Sequence, residues 1–122
     1  MSEDRQREQE TPGSSVEIPR DEWPDWCTRM TEADRGRTMS LRFVDEALGE
    51  VELSDEVPFM GIDHQQLAGV ITLMIHYGSD VLPLYHVVAG PRQIRQESDA
   101  SGGRIVVEIL DSTRRQTFIS LS

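Results

Sequence analysis

The sequence contains no lysine and no asparagine, and all twelve of its basic residues are arginine. Arginine binds carboxylates in a bidentate manner that lysine does not reproduce. A GC-rich genome would give the same bias, because lysine and asparagine share AA-starting codons, and we favour this simpler explanation. The net charge of −10 is then attributed to solubility or to salt adaptation, with an acidic binding surface as the alternative.

Cysteine is nearly absent as well, since Cys27 is the only one in the chain. A single cysteine excludes an internal disulfide and a metal site with several thiolates. The sequence also lacks a Gly-x-Ser-x-Gly elbow and the glycine spacings of phosphate-binding or dinucleotide-binding loops. We therefore predict no catalytic residue, no cofactor and no metal site.

Long apolar segments are missing too. No run approaches the roughly 18 residues that cross a membrane, and the opening stretch MSEDRQREQETPGSS has no apolar core of a secretory signal. A cytoplasmic location is therefore expected. The acidic excess and the lack of a basic stripe argue against nucleic acid and anionic membranes as partners. A protein partner is compatible with this charge, and the oligomeric state is left open.

The pattern along the chain divides it into two parts. Residues 1–15 are polar and charged, so we expect a disordered tail, followed by a single domain over 16–122. That domain opens with an N-terminal amphipathic helix. Its apolar positions recur along one helical face, and they are Trp23, Trp26, Cys27, Met30 and Ala33. Pro24 must fall in the first turn, where its missing N–H has no helical partner. Gly36 is a suitable C-terminal stop.

After Gly36 the apolar spacing changes from 3.6 to 2, which is typical of β-strands. The alternating segments are short and no helical pattern separates them, which favours antiparallel neighbours. The predicted fold class is therefore α+β, with one amphipathic helix packed on a curved, mainly antiparallel sheet of about six strands. The segment VITLMIHY (70–77) is apolar at nearly every position, which predicts a strand buried on both faces.

The two tryptophans could form a stacking platform for a ligand or anchor the helix on the sheet. We favour the anchor, because both share the helical stripe with Cys27 and Met30. Trp26 is the predicted core residue, whereas Trp23, beside Pro24, is expected to be partly exposed. Cys27 should be buried and unreactive. The predicted core consists of Trp26, Cys27, Met30, Leu41, Phe43 and Ile75.

A candidate pocket is predicted on the concave face of the sheet, lined by His76, Tyr77, Tyr85 and His86. These residues lie in segments 70–77 and 81–88, which a short turn would join as a hairpin. If paired residue numbers sum to 160, the two histidines share a face, whereas a sum of 159 separates them. Even on one face they would need added carboxylates, from Asp63 or Asp80, to bind a metal.

Four segments resemble a known family: IPRDEWPDW (18–26), EVPFMGID (56–63), YHVVAGPRQIR (85–95) and VVEILDSTRRQTFISL (106–121). They are similar to a family of small bacterial proteins without an assigned function, whose members typically open with Ile-Pro-Arg-Glu-Glu-Trp-Pro. The resemblance runs through most of 16–122 and departs from the family mainly at DHQQLAG (63–69). It implies a compact bacterial domain and supplies no catalytic residues.

Two functions of different classes follow as hypotheses. The leading one is a non-catalytic cytoplasmic module that acts by protein–protein contact, because no catalytic motif is present and the chain carries an excess of negative charge. The alternative is a small-molecule-binding protein or an enzyme that uses the pocket on the concave face.

Overall fold

The computed structural model describes residues 14–122 of the chain. A short strand and a 3-10 turn (Arg20–Glu22) precede the helix, and seven further strands follow it. The helix, α1, is Trp23–Asp34. The strands are β1 (Ser14–Glu17), β2 (Thr38–Asp45), β3 (Gly49–Leu67), β4 (Val70–Gly78), β5 (Pro83–Ala89), β6 (Pro91–Ser98), β7 (Ile105–Asp111) and β8 (Gln116–Leu121).

The eight strands form one antiparallel sheet in the order β1-β6-β7-β8-β2-β3-β4-β5. The α+β class with one helix and an antiparallel sheet is thus confirmed for the described residues. The sheet has eight strands, however, and not about six. Two meanders, β2 to β5 and β6 to β8, are joined where β2 pairs with β8. The last strand of the chain therefore lies in the middle of the sheet.

The strand β1 corrects the prediction of an N-terminal helix, because it precedes α1 in the chain. Its four residues are all exposed, so no apolar pattern reveals it. Ser14 and Ser15, which the predicted tail includes, pair with Ser98 and Glu97 of β6. Residues 1–13 of that tail lie outside the described residues.

The helix begins after a 3-10 turn, in which the N–H of Glu22 donates to the carbonyl of Pro19 at 2.9 Å. Pro24 occupies the first turn of α1, where proline costs no helical hydrogen bond. At the other end Gly36 adopts a positive φ of 93°, a conformation that glycine reaches without steric cost. The predicted position of Pro24 and the predicted stop at Gly36 both agree with this helix.

The long strand β3 changes partners along its length. Its first part pairs with β2 up to Pro58, and its second part pairs with β4 from Phe59 onwards. The pairing with β2 shifts register near Met39, and Glu56 takes a positive φ of 54° there. A bulge of this kind bends a strand and increases its twist, which lets β3 take part in both halves of the sheet.

Where β2 ends, α1 and the chain that follows it cover the edge of β3 that would otherwise be unpaired. Phe59 accepts from the N–H of Gly36 at 2.7 Å and donates to the carbonyl of Arg37 at 2.8 Å. The hydroxyl of Thr31 accepts from the N–H of Ile62 at 2.9 Å and donates to its carbonyl at 3.2 Å. We call this segment, Phe59 to Ile62 on the side facing α1, the β3 edge.

The close approach of helix and strand requires Gly61. A Cβ atom at this position would lie 2.9 Å from Cγ2 of Thr31, and the glycine has a φ of 154°. Any larger residue would push Thr31 away from the Ile62 backbone that it binds. Gly61 therefore sets the distance at which α1 covers the β3 edge.

The sheet is strongly curled. The strands β2 and β5 are three strand spacings apart in the sheet order, which corresponds to about 14 Å in a flat sheet. Yet the rings of Phe43 on β2 and His86 on β5 stack with centroids 6.2 Å apart. The helix spans the concave side, because it contacts β3 through Thr31 and β6 through Trp26, whose Nε1 donates to Oε1 of Gln96 at 2.8 Å.

The core fills the space between α1 and the concave face. All six residues of the predicted core are buried, namely Trp26, Cys27, Met30, Leu41, Phe43 and Ile75. Phe43 contacts His86 and Arg115, and the other five belong to one cluster with side chains from β2 to β8. The prediction that 70–77 is buried on both faces is wrong. Leu73, Ile75 and Tyr77 of β4 are buried, whereas Met74 and His76 on the opposite face are only half-buried.

Candidate interaction surface

The hairpin of β4 and β5 separates the four residues of the predicted pocket. Ile75 pairs with His86, and His76 pairs with Tyr85, so the paired numbers sum to 161. With an odd sum the two histidines lie on opposite faces. Tyr77 and His86 point to the concave side, while His76 and Tyr85 point outwards, so the four side chains do not line one pocket.

On the concave side, His86 is held by an aromatic and a cationic neighbour. Its ring stacks almost parallel on Phe43, at an interplanar angle of 8°. The guanidinium of Arg115 also lies over the Phe43 ring, 4.4 Å from the ring centroid, and its Nη2 is 3.1 Å from Oδ2 of Asp45. Burial, and then the charge of Arg115, lower the pKa of His86 below its ordinary value. Burial against Phe43 and the nearby charge of Arg115 therefore favour neutral His86, and the contact between Phe43 and His86 joins β2 to β5.

Tyr77 and its neighbours on the concave side are packed rather than open. Tyr77, Leu73, Ile75 and Val88 are all buried, and they belong to the core cluster. The space that the predicted concave pocket would need is thus filled by the protein's own side chains. A ligand site on this face would require the core to open.

On the outer side, Nε2 of His76 lies 2.8 Å from Oδ2 of Asp63, and its ring lies 6.3 Å from that of Tyr85. His76 and Asp63 border an open groove of about 390 Å³ between α1 and the β4–β5 turn. Tyr77 also lines this groove, so two of the four predicted pocket residues meet there, whereas Tyr85 and His86 do not line it. The imidazole is 37% exposed and the carboxylate 54%. A solvent-accessible polar contact of this kind contributes little to stability, and no acid–base role is assigned to it.

Cys27 is buried under α1. Burial, with a smaller contribution from the charge of Asp63, raises the pKa of the thiol to about 12. The thiol is therefore protonated at neutral pH, and a protonated thiol is a poor nucleophile. Within residues 14–122, no group of three or more His, Cys, Asp or Glu side chains is placed to hold a metal ion.

Both tryptophans anchor the fold, but the expected difference in their burial is reversed. Trp23 is fully buried, and its Nε1 donates to the carbonyl of Ile18 at 2.9 Å. The guanidinium of Arg20 covers its ring at 4.7 Å. Trp26 is buried almost as well and bonds to Gln96. The prediction of a partly exposed Trp23 is wrong, because the 3-10 turn folds Ile18 and Arg20 back over the indole.

Five of the ten exposed large apolar side chains among the described residues lie in β5 and the turn before it. Val81 is 94% exposed, Tyr85 61% and Val87 44%, and Leu82 and Leu84 are exposed as well. None of residues 81–89 is acidic or arginine, and the one histidine among them, His86, faces inwards. We call these five side chains, together with the free backbone edge of β5, the β5 surface. Tyr85 and Val87 lie on the outer face and Leu84 lies on the opposite one, so the outer face and the free edge carry the exposed apolar side chains of the strand, and such side chains mark contact sites for other molecules.

The free backbone edge of β5 follows from its register. β5 is the last strand of the sheet and pairs only with β4 among the described strands. The N–H of Gly90 donates to the carbonyl of Ile71 at 2.9 Å, so alternate residues before it, Val88 and His86, also direct their backbone groups to β4. The N–H and C=O groups of Tyr85, Val87 and Ala89 consequently face away from the sheet.

Sequence reasoning did not identify this surface, although a signal was present. Residues 81–89 lack acidic and arginine residues in a chain that is 28% charged. A covered strand can have the same composition, so the pattern cannot separate the two cases. The exposure of β5 depends on the long-range pairing of β2 with β8, which places the β4–β5 hairpin at the end of the sheet.

Comparison with known proteins identifies the family. The model of DUF5335, a family of unknown function, matches residues 14–122. The chain therefore belongs to this family, which confirms the predicted membership of a family without an assigned function; its bacterial origin and opening motif stay predictions. No curated protein and no solved structure matches the chain. No helix in residues 14–122 has the length and apolar character that crossing a bilayer requires.

Proposed function

We propose that this member of DUF5335 is a non-catalytic, cytoplasmic protein-interaction module that binds an extended segment of a partner protein along the β5 surface. The observation that carries the proposal is the coincidence of a free strand edge with exposed, uncharged apolar side chains. Peptides bind such edges by adding a strand, in which backbone hydrogen bonds supply affinity and alternate side chains supply specificity.

The geometry of β5 suits this mode of binding. Tyr85, Val87 and Ala89 direct backbone groups to the free edge, and the side chains of Tyr85 and Val87 are exposed on the outer face. A bound strand would extend the sheet and cover these side chains at the same time. Proteins usually protect exposed edges with lysine, inward charges, proline or bulges. β5 begins with a proline, Pro83, but from Leu84 to Ala89 the strand has no lysine, no acidic or arginine side chain, no proline and no bulge.

The catalytic alternative has weaker support from the same residues. The Cys27 thiol is protonated and buried, and the concave face is packed with core side chains. The outer pair of His76 and Asp63 is exposed on an open groove. Strand addition at β5 uses a free backbone edge together with exposed apolar side chains, whereas the accessible His76–Asp63 pair is not accompanied by a nucleophile or a metal-binding cluster among the described residues.

A matched pair of variants tests the proposal. Val87→Lys places a charge on the β5 surface, whereas Val70→Lys places the same charge at a position of similar exposure, 47% against 44%, that begins β4. The tagged wild-type protein and both variants would be used to capture partners from the protein's own host cells. We expect a partner that the wild type and Val70→Lys retain and that Val87→Lys loses. A partner that all three retain equally would overturn the assignment of the β5 surface.

A further inference from the structure

The β5 surface is complementary to itself. We propose that the partner strand is the β5 strand of a second copy of this chain, paired antiparallel across a twofold axis at Val87. This inference rests on the proposed function and names its partner. In a twofold interface the same patch is used by both copies, so each contact from residue i to residue j occurs twice.

The backbone determines the register of this pairing. Tyr85, Val87 and Ala89 are the β5 residues that direct both N–H and C=O to the free edge. An antiparallel partner must oppose these residues with residues of the same kind, because opposed hydrogen-bonded pairs exchange both bonds. Centring the axis on Val87 makes Val87 oppose its own copy and makes Tyr85 oppose Ala89 of the second copy. All free groups of these three residues are then paired.

The side chains are compatible with this arrangement. Tyr85 and Val87 of both copies would lie side by side on one face of the joined sheet, and they would cover each other's apolar surface. The chain carries a net charge of −10, so most contacts between two copies would bring like charges together. The uncharged β5 surface avoids this repulsion at the point of contact.

The charges that flank β5 are complementary across the twofold axis. Asp80 lies before the strand and Arg92 lies after it, and both are exposed. Within residues 14–122 neither of them has an ion-pair partner. Antiparallel pairing brings the beginning of one β5 strand to the end of the other. Arg92 lies in β6, just past the bend at Gly90. Antiparallel pairing therefore sets the Asp80 end of each β5 strand against the Arg92 end of the other, whereas parallel pairing would set Asp80 against Asp80.

Cysteine cross-linking tests both the dimer and its register. Antiparallel hydrogen-bonded pairs have Cα atoms about 5.5 Å apart, a distance that a disulfide spans. Val87→Cys should therefore form a disulfide-linked dimer under mild oxidation. In Tyr85→Cys the two introduced thiols would lie about 14 Å apart along the strands, so this variant should not cross-link. The native Cys27 is buried and protonated, so it gives no background.

Random collisions would give the opposite order, because Tyr85 is more exposed than Val87. The double variant Tyr85→Cys/Ala89→Cys should restore cross-linking, since these two positions oppose each other in the proposed register. Cross-linking of Tyr85→Cys alone that equals or exceeds that of Val87→Cys would overturn the register.

Sedimentation velocity over a range of protein concentrations gives the second measurement. We expect wild type and Val70→Lys to reach twice the monomer mass of 13.8 kDa as concentration rises, and Val87→Lys to stay monomeric. A wild type that is monomeric throughout would overturn self-pairing. The proposed function would fail separately, if captured partners also proved insensitive to Val87→Lys.

Discussion

The β3 edge and the free edge of β5 are two unpaired stretches of one sheet, and the protein treats them differently. Thr31 binds both backbone groups of Ile62, and the chain after α1 binds both groups of Phe59. On β5, the backbone groups of Tyr85, Val87 and Ala89 have no partner within the described residues. An unpaired strand edge is prone to association with other chains. At the β3 edge the fold prevents such association by covering the backbone groups with α1 and the residues after it. The open edge is where contact is available.

The other terminal strand, β1, strengthens this comparison. Its described residues are Ser14 to Glu17, all exposed, and they include a charged side chain and a single apolar one. Polar and charged residues on an edge strand disfavour the pairing of another chain. Of the two ends of the sheet, the one at β5 is therefore the apolar one, and we assign the contact surface to it.

Of the variants that test this comparison, the one that removes the anchor of α1 should change the stability of the protein most. Trp23 holds α1 in place through its buried ring and its hydrogen bond to Ile18. Trp23→Ala should lower the free energy of unfolding by about 3–5 kcal/mol, as truncation of a large core side chain does. Chemical denaturation provides the measurement. Trp23→Phe keeps an aromatic ring and loses the hydrogen-bond donor, so it should lower the free energy of unfolding by less than Trp23→Ala. If Trp23→Ala were the less destabilising of the two, the anchoring role would be contradicted.

The next variant uncovers the β3 edge directly. Thr31→Val keeps the shape of the side chain and removes the hydroxyl that binds Ile62. It should cost about 1–3 kcal/mol, because the N–H of Ile62 then lacks a partner. Thr28→Val is the matched control on the same helix, since the Thr28 hydroxyl binds the Pro24 carbonyl at an exposed position. Its effect should stay within about 0.5 kcal/mol. Equal effects of the two variants in thermal unfolding would show that the β3 edge is not held by Thr31.

A smaller effect concerns the contact that holds β5 from inside. The pKa of His86 is lowered from its ordinary value of 6.5, so the unfolded chain binds more protons than the folded protein just below that pH. The stability that neutral His86 provides is therefore complete above pH 6.5 and decreases as the pH falls from 6.5 towards the lowered pKa. The melting temperature of the wild type should fall over this interval.

Two variants isolate the contribution of His86. His86→Gln should flatten the dependence of the melting temperature on pH below 6.5. Arg115→Gln should flatten it less, because burial is a larger cause of the shift than the charge of Arg115. An unchanged slope in His86→Gln would assign the dependence to another group and would remove the argument that His86 sits neutral against Phe43.

The comparison of the edges also shows what the sequence could predict. The helical stripe from Trp23 to Met30 and the pairing of segments 70–77 and 81–88 are local patterns, and both were available from residue spacing. The register of that hairpin could not be predicted from residue spacing, because it depends on the hydrogen bonds that close the turn. There the N–H of Ser79 donates to the carbonyl of Leu82 at 3.2 Å, and the hydroxyl of Ser79 accepts from the N–H of Leu82 at 3.0 Å. A shift of one residue would have reunited His76 and His86.

Long-range pairing accounts for the rest. β1 is polar and finds its place only by pairing with β6, some 80 residues later in the chain. The burial of Trp23 depends on Ile18, whose own N–H donates to the carbonyl of Ile94 at 2.8 Å. Neither contact has a local sequence pattern. The candidate surface is of the same kind, because the pattern predicts that β5 is a strand and the topology alone makes it the last one.

Amide hydrogen exchange along β5, followed by NMR, tests the central claim most directly. In dilute monomer the amides of Tyr85, Val87 and Ala89 should exchange rapidly, and those of His86 and Val88, which donate to β4, should exchange slowly. At concentrations where the protein associates, or with a captured partner bound, the three rapid amides should become protected while the other two change little. Protection of Tyr85 and Val87 already in the dilute monomer, or no protection on association, would contradict the assignment of β5 as the open contact edge.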